Sequence, residues 1–167
     1  MNNKSNKTAF YGTILGLALI LSYIEFLIPF NFGIPGIKLG LCNIIAVSIL
    51  YKKGFKQSFL INCARIILSS ILFGNIFGAV YSLCGGILST VIMALLKKTD
   101  KFSVLGVSVA GAVMNNLGQT LAATVVLSTY RVLGYLPILA ISGILTGALI
   151  GLAVTLIIKK LPKSFKV

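Results

Sequence analysis

Long apolar runs separated by short lysine-rich gaps are the feature that most limits what this chain can fold into. A helix that crosses a bilayer needs about 20 apolar residues, and most of the runs have about that length. Only 10% of the residues are charged and 57% are hydrophobic, whereas soluble domains carry about 25% charged residues. The sequence therefore predicts an all-α integral membrane protein in which residues 1–167 form one transmembrane domain. The six predicted spans are approximately 9–30, 37–51, 54–73, 75–96, 104–130 and 136–158.

The basic residues fall almost entirely in alternate gaps between these runs. The termini and one set of gaps hold twelve of the fifteen: Lys4, Lys7, Lys52, Lys53, Lys56, Lys97, Lys98, Lys101, Lys159, Lys160, Lys163 and Lys166. The other gaps hold only Lys38 and Arg131, and Arg65 lies inside the third run. Because loops rich in lysine and arginine stay in the cytoplasm, this division predicts a multi-pass protein of the plasma membrane with both termini cytoplasmic.

The composition also argues against several other classes of protein. A net charge of +13 would suit nucleic-acid binding, but that requires a basic patch on a solvated domain, and these lysines lie between apolar runs. Cys42, Cys63 and Cys84 lie within apolar runs, and the chain has no histidine. We therefore expect a lipid bilayer rather than nucleic acid as the surroundings, with no disulfide framework, metal site or cofactor.

The first run could be taken for the core of a signal peptide, because Lys4 and Lys7 precede it. It continues from Ala9 to Phe30, which is longer than such a core, and no small-residue cleavage site follows it. We therefore predict that this run is retained as the first span.

Arg65 stands in the middle of an apolar run, where an arginine facing lipid costs about 2.5–3.5 kcal/mol. Asn62, Arg65 and Ser69 are spaced at i, i+3 and i+7, so they share one helix face. We expect that face to point into the bundle or into a wet cavity. Other polar residues are predicted at similar depth, and they are Glu25, Lys38, Asn43, Asn115, Asn116, Gln119 and Arg131.

Two interpretations of these residues remain open. In the structural one, Glu25 and Arg65 form an ion pair and the amides bridge helices. In the functional one, an outward-facing cavity holds Lys38, Arg65 and Arg131 against the single carboxylate of Glu25. The surplus of positive charge would then suit a carboxylate or phosphate group, which the amides would also bind.

The absence of phosphate-binding and proton-relay motifs narrows the functions that the sequence allows. The chain has no GxxxxGK[ST] phosphate-binding loop, and Glu25 is the one carboxylate within a predicted span. Ion-coupled transporters use intramembrane carboxylates as relays, and many are built from two inverted halves. A substrate-binding subunit that is energised by partner proteins therefore fits better than a stand-alone transporter.

A long ordered segment carries a family resemblance. The run IPGIKLGLCNIIAVSILYKKGFKQSFLINCARIILSSILFG, followed by SLCGGILSTVIMALLKK, resembles the Gx transporter family, whose members are often labelled heptaprenyl diphosphate synthase component I. That family is similar to the substrate-binding (S) components of energy-coupling factor transporters. The resemblance implies an outward pocket for an anionic vitamin-like or cofactor-like molecule, a transmembrane coupling subunit and ATPase subunits as partners. It also implies docking through small residues of the first helix, here Ala9, Gly12, Thr13 and Gly16.

The synthase label implies a different chemistry, in which aspartate-rich motifs hold two diphosphates through magnesium ions. This chain has one aspartate, Asp100, in a lysine-rich gap, and one glutamate. Magnesium sites are built from oxygen ligands, so we expect no catalytic activity. The alternative to a transport subunit is a non-catalytic membrane component that accompanies polyprenyl diphosphate synthesis.

Cysteine-accessibility labelling tests the predicted topology. In a background without the natural cysteines, single cysteines beside Lys53, Lys98 and Lys163 should react only from the cytoplasmic side, because lysine-rich gaps remain there. Cysteines beside Lys38 and Arg131 should react only from outside. Labelling of the Lys98 gap from outside would contradict the six-span topology.

Overall fold

The computed structural model describes residues 3–28 and 39–160, with side chains from residue 7 onward. Of these residues 88% are helical and none lies in a strand, which confirms the all-α prediction for the described part of the chain. Lys38 and the linker around it lie outside the described residues. The helices are α1 (Asn3–Leu27), α2 (Asn43–Lys52), α3 (Phe55–Leu72), α4 (Ile76–Lys98), α5 (Val104–Leu127) and α6 (Leu136–Lys160), with a 3₁₀ helix at Tyr130–Tyr135.

Local signals explain where several helices begin and end. Asn75 Oδ1 accepts a hydrogen bond from the N–H of Gly78 at 2.6 Å, and Ser103 caps α5 in the same way. Such side-chain caps satisfy N–H groups that the first turn of a helix leaves unpaired. α5 ends at Leu127, earlier than predicted, because Ser128 takes a left-handed conformation with a φ of 48°.

α2 differs most from the prediction. The apolar run was expected to be helical from residue 37, but α2 begins at Asn43, after a turn in which Gly40 has a φ of 70°. Glycine is the usual residue for such a left-handed position. At 1.5 Å per residue, the 10 residues of α2 extend about 15 Å, half of the ~30 Å hydrocarbon layer of a bilayer. α2 is therefore too short to cross a membrane by itself.

Three of the helices are long and apolar enough to cross a membrane. α5 has a similar length, but Asn115, Asn116 and Gln119 interrupt its apolar sequence, and α3 carries Arg65. Predicted site residues are thus among the polar residues that reduce the apolar character of α3 and α5. The three candidate spans are Lys7–Leu27, Ile76–Lys98 and Tyr130–Lys160.

Two lysines show which helix ends lie together. Lys97 Nζ, at the end of α4, donates a hydrogen bond to the carbonyl of Leu50 in α2 at 2.6 Å. Lys53 Nζ lies 4.9 Å from the ring centroid of Phe10, in the first half of α1. The start of α1 and the ends of α2 and α4 therefore meet at one end of the bundle, which we call the lysine end. Short turns place the starts of α3 and α5 there as well.

Glycines set the spacing between α5 and α6. A Cβ added at Gly147 would lie 2.7 Å from the Cα of Val109, and one at Gly151 would lie 2.7 Å from the Cα of Leu105. The two backbones thus approach too closely for any larger side chain, as GxxxG motifs allow. From Gly147 to Gly151 the contact on α5 moves back from Val109 to Leu105, so the two helices are antiparallel.

The main hydrophobic core lies towards the lysine end, between α2, α4, α5 and α6. Its residues come from the second half of α2, α4 and α6 and from the first turn of α5, and all are nearly or fully buried. They are Val47, Leu50, Met93, Val107, Ile150 and Val154.

α1 packs through one face and leaves another face open. Ala18 is buried against Ile45, Ile49 and Ile61 of α2 and α3. On the open face a Cβ added at Gly12 or Gly16 would meet nothing within 4 Å. α1 is therefore a peripheral helix, and within the described part of the chain Gly12 and Gly16 do not serve packing against another helix.

Substitution of Gly147 by alanine should show the close α5–α6 contact. Gly147→Ala adds a methyl group where no space exists, and overpacking of this kind costs about 1–3 kcal/mol. Gly12→Ala is the matched control, because it brings the same gain of helix propensity, about 1 kcal/mol, in open space. Unfolding of the detergent-solubilised protein should occur at a lower temperature for Gly147→Ala than for Gly12→Ala. Equal unfolding temperatures would contradict the close contact.

Candidate functional site

A cavity of about 290 Å³ lies at the end of the bundle opposite the lysine end. Its walls come from the end of α1, the turn before α2, the end of α3, the start of α4 and the second half of α5. Most of the side chains around it are polar. The lining residues are Ser22, Glu25, Phe26, Gly40, Cys42, Asn43, Arg65, Ile66, Ser69, Ser70, Phe73, Gly74, Asn75, Gly78, Ser82, Asn115 and Gln119.

The guanidinium of Arg65 is held in the cavity wall by two neutral side chains. Its Nη2 donates to Asn62 Oδ1 at 2.7 Å, and its Nη1 donates to Ser22 Oγ of α1 at 3.3 Å. Both acceptors are buried. Within the described residues the other N–H groups of the guanidinium have no hydrogen-bond partner, so they remain able to donate to a molecule in the cavity.

Asn62 lies behind Arg65 rather than in the cavity lining. While its oxygen accepts from Arg65, its Nδ2 donates to Thr90 Oγ1 at 3.1 Å and to the Gly86 carbonyl at 3.4 Å. These bonds link α3 to α4 and fix the orientation of the amide. Asn62, which the sequence predicted as a binding residue, therefore acts in the structure as a positioning residue for Arg65.

Glu25 is tied to the turn that precedes α2. Its Oε1 accepts a hydrogen bond from the backbone N–H of Gly40 at 2.6 Å, and its Oε2 accepts one from Cys42 Sγ at 3.6 Å. The carboxylate and the guanidinium of Arg65 line the same cavity, but no salt bridge joins these two described residues. The structure therefore differs from the ion-pair interpretation, because each charge is held by neutral groups of its own.

Three predicted amides line the cavity with Glu25 and Arg65. Asn43, Asn115 and Gln119 come from α2 and α5, and their side-chain amides have no hydrogen-bond partner among the described residues. Amides that carry donors and acceptors without protein partners are suited to bind a polar ligand or water.

The structure places the other predicted residues elsewhere. Asn116 Nδ2 donates to the carbonyl of Leu139 at 2.7 Å, so this amide joins α5 to α6. Arg131 is exposed on the 3₁₀ helix and is not among the lining residues, and Lys38 lies outside the described residues. The predicted surplus of positive charge is therefore not present in the described lining, where Glu25 and Arg65 balance each other.

The sequence prediction missed the aromatic and most of the hydroxyl groups of the cavity. Phe26 and Phe73 line it with their ring centroids 5.5 Å apart, and Ser22 contributes the hydroxyl that accepts from Arg65. Helical periodicity could have found Ser22, because it is spaced at i−3 from Glu25 and shares its face. Phe73 follows the last residue of α3, where periodicity gives no signal.

Comparison with known proteins identifies one family. The sequence model described as heptaprenyl diphosphate synthase component I matches residues 14–157. This range contains every described residue that lines the cavity. No match was found among curated proteins or among solved structures.

Double-mutant cycles should show that Arg65 is coupled to Asn62 more strongly than to Glu25. Residues in hydrogen-bond contact show interaction energies of about 0.5–3 kcal/mol, and of these two residues Asn62 is hydrogen-bonded to Arg65 whereas Glu25 is not. Single and double alanine variants of each pair would be compared by unfolding in detergent. A larger interaction energy for the Glu25–Arg65 cycle would support the ion-pair interpretation instead.

Proposed function

The chain belongs to the heptaprenyl diphosphate synthase component I family, and we propose that it is the substrate-binding subunit of an energy-coupling factor type importer in the plasma membrane. In this role the chain binds a small molecule, and a membrane coupling subunit with ATPases supplies the energy. No catalytic activity is assigned to the chain itself.

The single observation that carries this proposal is the polar cavity inside an otherwise apolar bundle. A guanidinium costs free energy in an apolar environment unless it is hydrogen-bonded, and unpaired amides cost further. Here Asn62 and Ser22 hold Arg65 at the cavity wall, while the amides of Asn43 and Gln119 remain unbonded within the described residues. This free-energy cost is offset when a bound ligand forms hydrogen bonds with the guanidinium and the amides.

The position of the cavity supports import rather than export. It lies at the end opposite the lysine end, and lysine-rich segments face the cytoplasm. In a membrane the cavity would then open to the outside. Three helices with the length and composition of membrane spans support the placement of the bundle in a bilayer.

The open face of α1 supports docking of a coupling subunit. Ala9, Gly12 and Thr13 are exposed, and Gly16 continues the row with open space beside it. The hydroxyl of Thr13 donates to the Ala9 carbonyl at 3.0 Å, so the row presents no unpaired side-chain donor. Helices approach closely at surfaces of small residues, and this surface lies in the half of α1 nearest the lysine end.

The family description favours a second candidate, a non-catalytic membrane component that accompanies polyprenyl diphosphate synthesis. Catalysis by this chain itself is disfavoured, because Asp100 follows α4 at the lysine end while Glu25 lies in the cavity at the other end. These two carboxylates are too far apart to hold one diphosphate through shared metal ions. The cavity is also at the small end of the range for ligand pockets, about 300–1,000 Å³, so a polyprenyl chain would have to lie outside it.

Co-purification with partner subunits tests the proposed function. Gly12→Leu should fold normally but lose the coupling subunit and the ATPases, because leucine blocks the close approach of another helix. Gly134→Leu is the matched control, since Gly134 also has nothing within 4 Å and lies in the 3₁₀ helix, far from the start of α1. It should retain the partners.

One result would contradict the docking surface, and another would contradict the transport role. Unchanged co-purification of Gly12→Leu would exclude the docking surface on α1. Recovery of a prenyl diphosphate synthase subunit in place of the ATPases would favour the second candidate.

A further inference from the structure

The described lining of the cavity has one positive and one negative side chain, Arg65 and Glu25, and no salt bridge joins them. Arg65 is kept in place by Asn62 and Ser22, and Glu25 is kept in place by the turn at Gly40. An ion pair in partly buried surroundings is favourable when its partners can meet, and here each partner is bonded elsewhere. The cavity therefore presents two separate charges of opposite sign to whatever occupies it.

The Arg65 side of the cavity suits an anionic group. The planar guanidinium has N–H groups without a partner in the described residues, and such a group binds carboxylates through two parallel hydrogen bonds. The hydroxyl of Ser69, one helical turn further along α3, lines the cavity as well.

The Glu25 side suits a cationic group. Each oxygen of the carboxylate accepts one hydrogen bond, and a carboxylate oxygen can accept two, so both can still accept from an ammonium group. Phe26 and Phe73 line the same cavity, and aromatic faces attract ammonium and quaternary ammonium groups.

We infer that the ligand of this cavity is a small zwitterion, with its carboxylate on Arg65 and its ammonium group near Glu25. The inference rests on the proposed function for the existence of a ligand and narrows its chemical class. A purely anionic ligand would leave the charge of Glu25 uncompensated, and a diphosphate would add several negative charges to a lining whose described residues include a single cation, Arg65. The amides of Asn115 and Gln119 bind polar atoms between the two charged groups.

The test uses the purified chain in detergent and matched sets of probes. Each set contains an α-amino acid or glycine betaine as the zwitterion, its carboxamide without the anionic group, and, for the amino acids, the N-acetyl derivative without the cationic group. At least one zwitterion should raise the unfolding temperature, and removal of either charge should weaken its binding at least about tenfold in calorimetry, equal to about 1.4 kcal/mol. The inference is wrong if no zwitterion stabilises the chain, or if N-acetyl derivatives bind as tightly as the parent amino acids.

Variants assign each charge to its side chain. Glu25→Gln should bind the amino acid no more tightly than its N-acetyl derivative. Arg65→Gln should bind the amino acid no more tightly than its carboxamide. Arg131→Gln, which changes an exposed arginine outside the cavity lining, should alter neither preference. If a cavity variant does not fold, the comparison of probe affinities for the natural chain still tests whether the ligand is a zwitterion.

The outcome is separable from that of the proposed function, because the isolated chain needs no partner for these measurements. Zwitterion binding together with failed co-purification would support the inferred ligand class and contradict the importer role. Intact co-purification with binding of N-acetyl derivatives alone would keep the importer and reject the zwitterion.

Discussion

A guanidinium placed within an apolar helix has to be hydrogen-bonded, and the arrangement around Arg65 depends on how this is done. Asn62 accepts from it while donating to α4, and Ser22 accepts from it on α1. Three helices are therefore joined at the partly buried guanidinium. Because these acceptors are neutral, no salt bridge within the described residues neutralises the guanidinium directly, and the cavity beside it stays polar. A carboxylate in place of Asn62 could accept from Arg65, but it would cancel the charge and could not donate to the Gly86 carbonyl.

Glycine has two different uses in this bundle. In α6, Gly147 and Gly151 lie against the backbone of α5 and allow these helices to pack as one unit. In α1, a Cβ added at Gly12 or Gly16 would meet no described residue within 4 Å, and α1 is attached through side chains such as Ala18 on its other face. The same GxxxG spacing is therefore associated with a closed contact inside the molecule and with an open surface on its outside. Only the packing around each glycine distinguishes the two.

The order of the helices and the polar face of α3 could be predicted from the sequence, because apolar length and i, i+3, i+7 spacing are local properties, whereas the start of α2 and the end of α5 were predicted wrongly. The cavity residues Glu25, Arg65 and Asn115 were found in the same way, since polar groups at one depth of a bundle tend to meet. Asn116 was wrongly placed in the site, because neighbouring helical residues point about 100° apart and depth alone does not distinguish them. The separation of Glu25 from Arg65 could not be predicted either. It depends on a turn with a left-handed glycine at Gly40 and on which acceptors each side chain reaches.

α2 has different surroundings at its two ends. Asn43, at its start, lines the cavity, whereas Val47 and Leu50 further along it are sealed into the hydrophobic core. In a bilayer the molecule would then have a cavity open to one side above a closed base. Buried apolar side chains such as Leu50, Met93 and Val107 close this base, so it would act as a permeability barrier to ions and to the ligand itself. Passage of a bound molecule to the other side would then require displacement of α2 or movement of the whole chain, and this is mechanical work that an isolated bundle has no means to perform.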